Sequence, residues 1–127
     1  MFWLAIIWKR ERGRYMGRNR WITEMGLGVD VHGADYNKAA RRAVSDALRH
    51  SSLHFFDVTD KSAQDMKVEV VIGAAEPANI DPAVIAQEIP YGTVTVTVTN
   101  GGLDVTSDNG NDRITMVNAA ILVSFDD

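Results

Sequence analysis

Met25-Gly-Leu-Gly-Val-Asp-Val-His-Gly-Ala-Asp-Tyr-Asn-Lys38 joins an extended apolar run to the clearest helix in the chain. On its N-terminal side, residues 20–27 alternate in the two-residue period of a strand, with Trp21, Thr23, Met25 and Leu27 on one face. Ile22, Glu24, Gly26, Gly28 and Asp30 take the other face. That second face is small and polar, so it reads as the wall of a cleft or a subunit contact rather than as core. On the C-terminal side, Asp35 is typed as the N-cap of a helix over residues 36–49. Tyr36, Ala40, Ala43, Val44, Ala47 and Leu48 form its buried stripe, opposite Lys38, Arg41, Arg42, Ser45 and Asp46.

Working outward, residues 51–65 read as a connecting loop, anchored by Leu53, Phe55 and Phe56, with His50 and His54 solvated beside the helix end. Residues 66–74 are β-branched and bounded by turn formers, the pattern of a second strand. Asp81 and Pro82 are an N-cap followed by proline at the first helical position, which starts a short helix to about Glu88. Thr93 to Thr99 alternates threonine with valine, so Val94, Val96 and Val98 form one buried face. After Asn100-Gly-Gly102 and the polar turn 107–112, residues 114–125 are apolar on both faces, as in a central strand. The expected architecture is α+β, in the order β-α-β-α-β-β: a four-stranded mixed sheet with two helices on one face. A second copy of the chain is expected to bury the other face.

The chain has 127 residues, 46% of them hydrophobic and 24% charged, which suits one domain with a modest core. With no cysteine it has neither disulfides nor thiolate ligands, which fits a cytoplasmic location. Residues 1–20 carry six basic groups against Glu11, whereas the remainder carries 7 basic and 16 acidic groups. An acidic body of this kind disfavours nucleic acid as a partner. The apolar run at residues 1–8 is too short to span a bilayer, and its basic residues follow it rather than precede it as in a signal peptide. Residues 1–15 are therefore expected to be an extension upstream of a start at Met16, with a membrane-surface anchor as the alternative. The folded domain is expected over residues 16–127.

The opening stretch holds the candidate site. Gly26-x-Gly28 lacks the third glycine of a dinucleotide fingerprint, because residue 31 is Val31. In extended backbone Asp30 and His32 would point the same way, as an acid–base pair in which the carboxylate orients the imidazole. Two such ligands are too few for a closed metal site, so neither metal nor cofactor is expected. Asp30 and His32 are also placed to serve their own backbone at a strand-to-helix corner, with Gly33 permitting a positive φ. Gly28, Gly33, Asn37, Lys38 and Arg41 surround the pair near a helix N-terminus suited to an anion. Asn100 and Gly101 could present backbone amides to an oxyanion, and Asn118 would tie strands together or face a cleft.

The element order is similar to that of the small trimeric bacillus chorismate mutase, which implies a homo-oligomer, a trimer in that architecture. Gly26-x-Gly28-x-Asp30-x-His32-Gly33, Lys38-Ala-Ala40, Asp46-Ala47, Asn100-Gly-Gly102 and the closing Asn118-Ala-Ala resemble a family of short bacterial conserved hypothetical proteins. The resemblance covers about residues 18–125 and implies no reaction. Two functions are expected from the residues. One is an oligomeric enzyme acting on a small anionic metabolite through Asp30 and His32 in an inter-subunit cleft. The other is a non-catalytic ligand-binding or assembly module built on the same cluster.

Overall fold

The computed structural model describes the backbone of residues 18–49 and 63–126 and the side chains of residues 23–49 and 64–125. The expectations for residues 1–15, and for Leu53, Phe55, Phe56, His50 and His54, lie outside the described residues. Strand β1 (Arg18–Asp30) leads into helix α1 (Tyr36–Arg49), which begins and ends where the helical spacing predicts. Asp35 caps it, its Oδ1 accepting from the Lys38 amide at 3.1 Å. Strand β2 (Lys67–Ala74) precedes α2 (Pro82–Ala86), which is capped by Asp81 through a 3.0 Å bond from the Ala83 amide. Helix α2 stops two residues short of the expected Glu88, and its last turns close with Glu88 N–H to Ile85 O and Ile89 N–H to Ala86 O.

The sheet is mixed, but among the described residues it has five strands rather than four. β3 (Thr93–Asn100) runs parallel to β2, and β5 (Arg113–Asp126) pairs antiparallel with both β1 and β2. The additional strand is β4 (Leu103–Thr106), which pairs with Arg113–Met116 of β5 instead of prolonging β3. The Asn100-Gly-Gly102 turn separates the two. Gly101 N–H bonds Ala74 O at the end of β2, and Gly102 N–H bonds Asn118 Oδ1 on β5, which carries the chain across to β5. Strand order is β1-β5-β2-β3, with β4 beside β5 past the end of β2, so β5 is central as expected.

Both helices lie on one face of this sheet, α1 over β1 and β5 and α2 over β3. The core between the layers contains Val44, Val70, Ile72, Ile85, Val117 and Phe125, all essentially inaccessible to solvent. Each such side chain contributes about 1.5–3 kcal/mol by leaving water.

The two faces of β1 are the reverse of the expectation. The small polar face is the buried one, and Met25 and Leu27 on the apolar face are 66% and 48% exposed. Helix α1 lies directly on the glycines. A Cβ at Gly26 would overlap the Ala43 carbonyl and the Ala47 amide, and one at Gly28 the Ala39 carbonyl and the Ala43 amide. The missing side chains, facing the alanine stripe of α1, let two backbones approach more closely than branched residues allow. Gly28 is thus a packing residue rather than a ligand-binding one.

Candidate functional site

Pairing of Asp30 with Thr115, and of Thr115 with Asp104, aligns three polar side chains across β1, β5 and β4 beneath the start of α1. Asp30 and Thr115 are fully buried there. Asp30 Oδ2 accepts from the Asp35 amide at 2.8 Å, and its Oδ1 lies 3.4 Å from Lys38 Nζ and 3.8 Å from Arg42 Nη1. The Asp35 amide holds the carboxyl below its usual range against the opposing effect of burial, and Lys38 and Arg42 add to the lowering. Asp30 therefore fastens the strand-to-helix corner to the first turns of α1.

Asp104 accepts from the Thr115 hydroxyl and from Tyr36 O–H. Tyr36 Oη also lies 2.6 Å from Glu76 Oε2, so one phenol proton stands between two carboxylates and serves one of them at a time. Burial first, then the hydrogen bonds to Asp104 and Glu76, push the phenol well above its ordinary range. Arg113 closes the cluster, 3.4 Å from Glu76 Oε2 and 3.9 Å from Asp104 Oδ2.

His32 lies at the adjoining corner, and its carboxylate partner is Asp112 rather than Asp30. Its Nδ1 is 2.7 Å from Asp112 Oδ2, and Gly33 N–H donates to Asp112 Oδ1 at 3.0 Å. The physical reason is the end of the strand. β1 stops at Asp30 and the chain bends, with Gly33 and Ala34 at φ of +79° and +48°, so the two-residue period no longer aligns residues 30 and 32. Since Asp30 pairs with Thr115, two further steps along each strand reach Arg113 and a third reaches Asp112, beside Gly33 and within reach of the His32 side chain. The hydrogen bond to His32, then the Gly33 and Arg113 amides, pull the Asp112 carboxyl down to about 2. The stabilisation from ionised Asp112 is complete above about pH 4, the ordinary carboxyl range, and is lost as pH falls toward the lowered value.

Gly33, Ala34, Thr106, Asn111, Asp112 and Arg113 line a shallow cavity of about 340 Å³. The remaining expected site residues lie elsewhere. Asn37 Oδ1 accepts from the Asp81 amide at 2.8 Å and so joins the two helices. Lys38 is engaged by Asp30, and Arg41 Nε lies 2.7 Å from Glu88 Oε1. Asn100 ends β3 opposite Ala74, Gly101 sits against Gly73, and exposed Asn118 ties β5 to the β3–β4 turn. Asp104, Asp112 and Arg113 belong to a hairpin about 80 residues from His32 in sequence. Asp112 ends the Asp- and Asn-rich turn 107–112, whereas Asp104 and Arg113 lie in the flanking strands and carry no comparable sequence signal. Among the described residues no three His, Asp or Glu side chains are arranged to hold a metal ion, and no helix is long and apolar enough to cross a membrane.

Residues 20–123 match a family described as conserved hypothetical protein (Lin0512_fam), and the chain belongs to that family. Among solved structures, the fold is similar to the crystal structure of an FtsZ-like protein of unknown function from Nostoc punctiforme. That protein is 30% identical, with a TM-score of 0.77, and the match covers 88% of this chain and 99% of the other. No curated protein matches the chain. The chain's architecture is α+β with a mixed sheet, and neither comparison confirms the expected likeness to chorismate mutase.

Proposed function

We propose that the chain is a cytoplasmic enzyme that binds a small anionic, carbonyl-bearing metabolite in the cavity beside His32 and moves a proton with that imidazole. The observation that carries the reading is the 2.7 Å contact between His32 Nδ1 and Asp112 Oδ2 at a cavity whose wall includes Arg113. With Asp112 ionised, Nδ1 carries the proton and donates it to the carboxylate. Nε2 is then left as the basic nitrogen, free to take a proton from a substrate carbon or oxygen. Arg113 supplies the charge that holds the anion, and Glu76 and Asp104 fix its guanidinium from behind. The catalytic pair of this reading is His32 with Asp112, and Asp30 supports the corner on which His32 stands.

A second reading is a non-catalytic ligand-binding or assembly module. It is favoured by the 84% exposure of the His32 side chain, which leaves the imidazole largely hydrated. Proton exchange separates the two. Wild-type protein in D2O is incubated with a panel of small keto acids and dicarboxylates, and deuterium incorporation is followed by NMR. The enzyme reading expects exchange into at least one substrate, reduced about a hundredfold or more in His32→Ala and in Asp112→Asn. Carboxylate binding that shifts Asp112 and Arg113 signals without any exchange supports the module instead. Exchange that persists in His32→Ala overturns the assignment of the base.

A further inference from the structure

We infer that the uncovered face of the sheet is the docking surface for a second copy of this chain, packed face to face. The inference is independent of the reading of His32. Among the described residues, both helices lie on the opposite face, and Met25, Leu27, Leu103, Val105 and Ile114 are between 42% and 66% exposed. Register makes these side chains one surface. Val29 is opposite Met116 and Met116 opposite Leu103, forming a ridge of three large side chains across β1, β5 and β4. The next row along β5 is Leu27, Asn118 and Gly73, followed by Met25, Ala120 and Val71. Beside the ridge the face continues with Ala120 on β5, while the Asn118 amide and Gly101 fill the space over Gly73. A two-fold mate carries the same apolar rows, so the two copies can meet apolar surface to apolar surface.

Charge and area agree with this occupant. The apolar rows contain no charged side chain, whereas the outer side of the helix layer carries Lys38, Arg41, Arg42, Arg49 and Glu88. On the uncovered face of β2, Lys67 and Glu69 are of opposite sign, so the charges on that strand's exposed side sum to zero. β5 has 14 residues, β2 and β3 have eight each and β4 has four, so the face is on the order of 800 Å². A standard stable interface takes about 800 Å² from each partner. Edge-to-edge pairing through β1 is obstructed. On the free edge of β1, Leu27 N–H already donates to Asp46 Oδ2 at 2.9 Å, and Val29 O accepts from Arg42 Nη1 at 2.6 Å.

The test is light scattering on the full chain, paired with mobility of a spin label. Wild-type protein is expected at twice the 14.0 kDa chain mass. Met25→Glu combined with Leu103→Glu, both at exposed positions, is expected to weaken association about a hundredfold or more, because charge enters the apolar contact. The cysteine-free chain permits a single label at Val105→Cys, which should become immobile as the protein associates. A label at Arg49→Cys, on the helix layer, should stay mobile. The label experiment keeps the proposal testable if the double variant fails to fold. A monomeric wild type, a dimer unaffected by the double variant, or immobilisation at position 49 alone would overturn it. So would a monomer in which the label at 105 is immobile at every dilution, since the chain would then cover its own face.

Discussion

The two faces of β1 have opposite compositions and opposite fates. Gly26, Gly28 and Asp30 are covered by α1, while Met25 and Leu27 are left toward solvent in the single chain. Side-chain hydropathy alone would bury the second set. Backbone approach decides otherwise: glycines opposite the alanines of α1 allow a helix-on-sheet contact that branched residues would hold apart. Close contact between backbones, rather than apolar area, selected the covered face. The apolar side remains available to a partner.

Three substitutions can break or sharpen that contrast. The largest effect is expected for Gly28→Val on the covered face, since its Cβ would meet the backbone of α1 at Ala39 and Ala43. A loss of about 3 kcal/mol or more is expected, read as a fall in melting temperature of roughly 10 °C or more. A change of only a degree or two would mean that α1 does not lie on the glycines. Next comes Tyr36→Phe at the polar end of the same face, which removes the phenol donor from Glu76 and Asp104 at an expected cost of about 1–2 kcal/mol.

Tyr36 also has a pH signature. Its phenol is raised above the ordinary tyrosine value, so the neutral form is favoured in the folded chain. This contribution is complete below about pH 10 and is lost as pH rises above it toward the raised value. Wild-type protein should therefore lose stability more steeply above pH 10 than Tyr36→Phe, and denaturation at pH 9 and pH 11 measures the difference. Parallel alkaline limbs would remove Tyr36 from the cluster. The smallest effect is expected for Leu27→Thr on the uncovered face. In chains dilute enough to be separate, its melting free energy should change by less than about 0.5 kcal/mol. A larger loss in separate chains would mean that the face is already covered from within.

Most elements are legible in the sequence, because their signals are local. The alanine stripe and Asp35 cap define α1, the Asp81-Pro82 pair starts α2, and threonine–valine alternation marks β3. The number of strands was not legible. Whether Leu103 to Thr106 prolongs β3 or crosses to β5 depends on what lies beyond the end of β2. The site was legible in its position and not in its pairing. The stretch from Asp30 to Lys38 does carry a polar cluster, but Asp30 and His32 are separated by the bend where β1 ends.

By itself the sequence determined every element but β4, the helix caps and an α+β fold with a mixed sheet, since propensity, periodicity and capping act within a few residues. Only the tertiary structure decided which face of β1 is covered. It also decided that His32 meets Asp112 and that Arg113 stands between Glu76 and Asp104. The reason is register: antiparallel pairing of β1 with β5 brings the chain after Asp30 beside residues 112 and 113, and no local pattern in either segment encodes that meeting.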